Sequence, residues 1–413
     1  MSLRRILLGA ALVAVSATIY QQIFNYSTSF KAAGPAVTTE KAAAAAVNGQ
    51  QGTSTSAVLT EGTADKNAYP PLNRSSAYSV LMQPINLDRC KVHLPTVAPI
   101  DDNDRDAKNS SSPHEESVSH STIVTAYFRI RSKHKGSEYD QWMSNFLSIQ
   151  DNMVIFTEPD MVEKIQAMRS SFGHLNKTII VEMPSLRASP ISRLAGPYCK
   201  YGNTKKNKLC SKRFWSNQLD KDVEKIIHRS YRLFWVWLSK SWFVIQAIEH
   251  FNYVFESKFF MWSDIGCFRD EGYNSKRIVR YPEMVPDNTV LWEAHHLPSP
   301  PPDDPIFCDK PKHFYHSGSQ GAGTIQTWKH FHDQFAKTVD GFLDHDYFIG
   351  EDQCILQAAC LQTPNLCAYV PFDQVNDNYY FGLRYVLHNG PNSARTPDKQ
   401  YNYWRPPGWS QQQ

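Results

Sequence analysis

The stretch Thr122–Phe128, TIVTAYF, and its continuation through Tyr139, Trp142, Met143, Phe146 and Leu147 to Met153–Thr157, MVIFT, decides the fold. TIVTAYF is β-branched and aromatic, as a buried strand requires, and runs out into the basic residues Arg129, Arg131 and Lys133. From Tyr139 to Leu147 apolar side chains recur three and four residues apart, the spacing of one helix face. MVIFT reads as a second buried strand, a polar-faced helix follows from Asp160 to Phe172, and Thr178–Glu182 reads as a third strand. This alternation predicts an α/β fold with a mostly parallel sheet flanked by helices. Ligands bind such sheets beyond the carboxyl ends of the strands, so Tyr127 and Arg131 are expected at a ligand mouth.

Further along, Tyr231–Tyr253 is dense in aromatics (Trp235, Trp237, Trp242, Phe243, Phe251) and reads as one helix buried on more than one face. It leads to Lys258–Asp270, KFFMWSDIGCFRD, where an apolar strand, Phe259–Trp262, delivers Ser263, Asp264 and Gly266 at its carboxyl end. A carboxylate there can hold a divalent cation against a diphosphate, and a glycine lets a ligand approach the backbone. The competing reading has Asp264 merely capping a turn. Three later features are polar: the glycine-rich His316–Gly323 (HSGSQGAG) ahead of a helical pattern, Glu351 and Asp352 opening an apolar helix, and His388 after an expected strand Tyr379–Leu387. Acidic residues in a first turn also suit the helix terminus electrostatically.

Lys and Arg number 43 against 40 Asp and Glu, a net charge of +3, which argues against nucleic acid as a partner. At the N-terminus, Arg4 and Arg5 precede an apolar run, Ile6–Phe24, close to the length of a membrane-spanning helix. We read 1–24 as a cytosolic tail and uncleaved signal-anchor; a cleaved signal peptide at Val15–Ala17 is the alternative and would make the protein secreted. Residues 25–120, rich in Ala, Ser, Thr, Gly and Pro and without tryptophan, read as a disordered stem, and 121–409 as the folded domain. All eight cysteines lie beyond the anchor, as disulfides in an oxidising lumen would have it, with Cys199–Cys210 the expected local bridge. Glycosylation sequons stand at Asn25, Asn73, Asn109 and Asn176.

TIVTAYF, the W-x-x-NFL-x-I segment from Trp142, MVIFT, FFMWSDIG, HSGSQGAG and GEDQ together resemble the HtrL/YibB family, and more broadly the GT-A fold of nucleotide-sugar transferases. The resemblance implies a Rossmann-type mixed sheet and a Golgi type II glycosyltransferase, moving a sugar from a nucleotide diphosphate donor to a glycan or glycoprotein. It implies donor binding by Tyr127, Arg131, Lys240, Asp264 and Gly266, and a glycine loop of Gly318, Ser319, Gly321 and Gly323. It further implies Mn2+ or Mg2+ on Asp264 and His388, and Asp352, with Glu351 behind it, as acceptor base. Gly266 departs from the pattern by replacing a second metal-binding aspartate; Asp270 or Asp346 would have to substitute, or Arg131 and Lys240 would neutralise the diphosphate instead. The alternatives are a noncatalytic glycan-binding protein of the same fold and a glycoside hydrolase using paired carboxylates.

Overall fold

The computed structural model describes residues 77–95, 121–131, 134–194, 205–269, 277–294, 316–371 and 382–390. The expected anchor, Cys199, the Cys210 side chain, Asp270 and the sequons at Asn25, Asn73 and Asn109 lie outside them, whereas Asn176 is exposed ahead of the third expected strand. No helix among the described residues is long and apolar enough to cross a membrane.

Eight strands form one mixed sheet: β1 (Lys91–His93), β2 (Ser121–Tyr127), β3 (Asn152–Thr157), β4 (Thr178–Glu182), β5 (Phe259–Ser263), β6 (Val290–Ala294), β7 (His316–Thr324) and β8 (Cys367–Pro371), in the order β1-β4-β3-β2-β5-β7-β6-β8. The β2–β3, β3–β4, β2–β5 and β6–β8 pairings are parallel; β1–β4, β5–β7 and β6–β7 are antiparallel. The three strands expected around TIVTAYF and the strand before Asp264 all form. Their alternate residues face opposite sides, and both sides are covered by helices. Val124, Val154, Phe156 and Trp262 join one core; Ile123, Met153, Ile155 and Met261 join the other.

Described helices, in chain order, are α1 (Ala77–Leu81), α2 (Gly136–Leu147), α3 (Pro159–Ser171), α4 (Lys205–Lys221), α5 (Lys225–His228), α6 (Arg232–Leu238), α7 (Lys240–Phe255), α8 (Ile325–Asp344), α9 (Asp352–Gln362) and α10 (Gly382–Asn389). Trp242 and Phe243 of α7 and Trp328, Phe331 and Phe335 of α8 fill the first core; Met143, Phe146 and Leu147 of α2 and Met161 and Ile165 of α3 fill the second. Full burial of each such side chain is worth about 1.5–3 kcal/mol. The single helix expected over Tyr231–Tyr253 is two, because Ser239 (φ −94°, ψ 0°) leaves the helical conformation and its carbonyl starts α7 by accepting from Phe243 N. Apolar density on every side hides a one-residue break from periodicity.

Three further expectations are corrected. Residues 77–95, assigned by composition to the disordered stem, are folded onto the domain: Ala77, Val80, Leu81 and Ile85 are buried, and Ala77 N donates to Asp340 Oδ1 (2.6 Å) and Ile85 N to Gln246 Oε1 (2.7 Å). The apolar surface they need belongs to helices far along the chain, so their own composition does not announce it. His316–Gly323 is no loop but the body of strand β7. Gly321 lies in register with Trp262 on one neighbour and Trp292 on the other, and a Cβ there would stand 2.4 Å from the Trp292 ring. Glycine, normally disfavoured in strands, here makes room for the Trp292 ring. Gly321→Ala should therefore destabilise the domain by about 1–3 kcal/mol, read as a lowered denaturation midpoint. The described part of the expected strand Tyr379–Leu387 is helix α10, with Leu383, Val386 and Leu387 buried at helical spacing. A disulfide joins Cys360 to Cys367, tying the end of α9 to the start of β8.

Candidate functional site

The strand order reverses direction between β2 and β5, the switch point at which an α/β sheet leaves a crevice beyond its strand ends. There the structure has a cavity of about 680 Å³, within the range of small-molecule sites. Its walls are Ala126 and Tyr127 at the end of β2 and Phe128–Arg131 after it, Asp264–Gly266 and Arg269 after β5, residues of α2 including Tyr139 and Trp142, and Leu233, Val236 and Trp237 of α6. Four of the five residues expected to bind a donor, Tyr127, Arg131, Asp264 and Gly266, thus line one cavity. The fifth, Lys240, lies behind Asp264.

Aromatic faces form one side. Tyr139 packs on Tyr127 (centroids 6.1 Å apart) and on Trp142 (5.3 Å), His134 meets Trp142 edge-on at 4.8 Å, and the Arg269 guanidinium lies 4.6 Å over the Trp142 ring. The sequence reading placed Trp142 in a helical pattern without giving it a site role and did not single out Arg269; only the approach of α2 to the β5 end reveals them as cavity walls. Arg129 is paired with Asp160 (2.6 Å) and Lys164 with Asp140 (2.5 Å). Arg131 has no ion-pair partner among the described residues, so its guanidinium is open to an anion.

At the inner end, the Lys240 ammonium is buried between two carboxylates. Nζ lies 3.2 Å from Asp264 Oδ1, 3.3 Å from Oδ2, and 2.7 Å from Asp352 Oδ2, and it donates to the Gly318 carbonyl at 2.7 Å. The Asp352 contact is an ion pair without hydrogen-bond alignment. Gly318 adopts φ +68°, the left-handed region open to glycine, and a Cβ there would crowd Asp352 Oδ2 at 3.2 Å. Burial by itself would lower the Lys240 ammonium, but the Asp264 and Asp352 carboxylates outweigh it and hold it above its ordinary value. Burial pushes the Asp264 carboxyl up, with Lys240 opposing and Asp352 reinforcing. Asp264 keeps 36% of its side chain exposed, against 3% for Lys240 and 4% for Asp352, so Asp264 is the member of the triad that meets the cavity.

The expected metal set does not fit. Both Asp264 oxygens already face the Lys240 ammonium, and Trp262 Nε1 donates to Oδ1 at 2.9 Å. His388 Nδ1 contacts the Arg277 carbonyl and does not join this group. Asp346 pairs with Lys221 on the surface, with 91% of its side chain exposed. At position 266 a Cβ would stand in ordinary contact with the rings of Tyr139 (3.4 Å) and Trp142 (3.5 Å), so the glycine faces the aromatic wall and supplies no carboxylate of its own. Nor does the glycine-rich segment form a pocket: Ser319, Gly321 and Gly323 are buried strand residues, and Gly318 contributes its carbonyl. Among the described residues, the histidine and carboxylate ligand atoms that gather within 4.8 Å of one another are instead those of Glu224, His228 and Glu351. The sequence reading missed Glu224 and His228, whose four-residue spacing was the available signal.

Residues 119–379, well over half the chain, match the family model described as "Bacterial protein of unknown function (HtrL_YibB)", and the chain belongs to that family. No curated protein matches. Among solved structures, mouse xyloside xylosyltransferase 1 in its apo form is similar at 9% identity and a TM-score of 0.31, covering 70% of this chain and 97% of that one.

Proposed function

We propose that this member of the HtrL/YibB family is a glycosyltransferase that binds a nucleotide diphosphate sugar in the cavity between β2 and β5 and transfers the sugar to a hydroxyl of a glycan or glycoprotein. The observation that carries the reading is the meeting, at the sheet's switch point, of an aromatic wall, an arginine without an ion-pair partner among the described residues and a carboxylate with about a third of its side chain exposed. A nucleobase or sugar ring packs against the aromatic wall that Tyr139 and Trp142 form, and Arg131 neutralises the diphosphate as its bond to the anomeric carbon breaks and the electron pair leaves with it. Asp264 accepts the proton of the attacking hydroxyl, a task for which a carboxyl raised by burial is suited. Asp352, which the sequence nominated as base, is buried against Lys240; we assign it to holding that lysine in place.

A hydrolase with Asp264 and Asp352 as its carboxylate pair is disfavoured, because one ammonium lies between them and Asp352 does not face the cavity. The N-terminal sequence supports placing the activity in the Golgi lumen on a type II anchor. Isothermal titration of the full-length protein with a panel of nucleotide diphosphate sugars tests the reading. One donor should bind, and Arg131→Ala should weaken it about 10- to 100-fold through loss of a charge-assisted contact. Absence of binding to every nucleotide would overturn it; binding without turnover of any acceptor would favour the noncatalytic alternative.

A further inference from the structure

We propose that Glu224, His228 and Glu351 form a binding site for a divalent transition-metal ion, separate from the donor cavity, that ties the α4–α5 connection to the start of α9. Glu224 immediately precedes α5, His228 ends it, and Glu351 is the residue before Asp352, so the cluster joins two segments that are remote in the chain.

The imidazole is oriented for ligation. His228 is nine-tenths buried, and its Nδ1 lies 2.7 Å from Oδ2 of the buried Asp222 carboxylate. A hydrogen on Nδ1 shared with that carboxylate leaves the Nε2 lone pair free, the carboxylate–histidine arrangement that sets a metal-binding tautomer. Nε2 makes no hydrogen bond; Glu224 Oε2 stands 3.4 Å from it. The Glu351 carboxylate has no hydrogen-bond or ion-pair partner among the described residues and falls within the same 4.8 Å group. Ligand atoms about 2.1 Å from a common ion stand roughly 3–4.2 Å from each other, so shifts below an ångström close the site.

Charge points the same way. The Glu224 and Glu351 carboxylates gather at the imidazole with the Asp222 carboxylate behind it. A divalent ion relieves that crowding. One imidazole with two carboxylates suits Zn2+ or Mn2+, whereas Ca2+ and Mg2+ favour oxygen-only sets. Three protein ligands leave room for a water molecule.

The test uses the full-length protein stripped with chelator and titrated with Zn2+ alone, followed by heat, and with Co2+ alone, followed by its visible absorption. One equivalent should bind and raise the melting temperature. Glu351→Gln and His228→Ala should each remove that equivalent and the Co2+ bands, and Asp222→Asn should weaken binding about 10- to 100-fold. Glu224→Gln, at an exposed position, serves as the variant least prone to misfolding. His388→Ala should leave binding intact. Stoichiometry unchanged in Glu351→Gln and Glu224→Gln, or no binding by the folded wild-type protein, overturns the site; neither outcome depends on the transferase reading.

Discussion

Lys240→Met is expected to destabilise the domain by about 3–5 kcal/mol, because it leaves the carboxylates of Asp264 and Asp352 facing each other with no cation between them. The lysine's 3% exposure keeps water from replacing the lost charge, and the Gly318 carbonyl loses its donor as well. The same substitution on an exposed ion pair would cost under about 1 kcal/mol, so the magnitude itself tests whether the ammonium is buried as described. Two companions identify the cause. Adding Asp352→Asn to Lys240→Met removes one stranded charge and should recover much of the loss, a non-additivity readable in chemical denaturation midpoints. Lowering the pH should narrow the gap between Lys240→Met and wild type, since protonation of the stranded carboxylates removes their repulsion. A gap that widens in acid, or a double variant no better than the single, would refute the buried-triad account.

Asp264→Asn should lower kcat of sugar transfer by about 10²–10⁴-fold, the usual worth of a positioned acid or base, while donor affinity changes little. Its fold should survive: Lys240 keeps Asp352 as a one-to-one partner, so the substitution removes the excess negative charge and strands none. Stability and catalysis therefore respond in opposite ways at the two ends of one ion-pair group. Lys240→Met is chiefly a folding lesion and Asp264→Asn chiefly a kinetic one, the former read by denaturation and the latter by initial rates at saturating donor. Wild-type turnover by Asp264→Asn would remove the carboxylate from the mechanism and leave the cavity as a binding site alone.

The parts of the site that were legible are those written in neighbouring residues. An apolar strand ending in Ser263 and Asp264, and another ending near Tyr127, are visible because a strand's identity lies in its own side chains, and the rule that ligands sit beyond strand ends does the rest. The glycines of β7 misled because glycine beside serine reads as a loop when the Trp292 ring that Gly321 accommodates lies on another strand. His388 misled because position late in the sequence says nothing about which carbonyl its ring meets.

The sequence by itself determined the α/β class, the first three parallel strands, the emergence of Asp264 at a strand end and the family, all of which follow from short-range periodicity and local motif. Tertiary structure alone decided that residues 77–95 belong to the folded domain, that the Lys240 ammonium faces both Asp264 oxygens, that Asp352 is turned inward, and that Glu351 meets His228. The physical reason is that apolar patterning acts between neighbours along the chain. The charge balance of a buried site is instead summed over groups that only the order of strands in the sheet brings within a few ångströms.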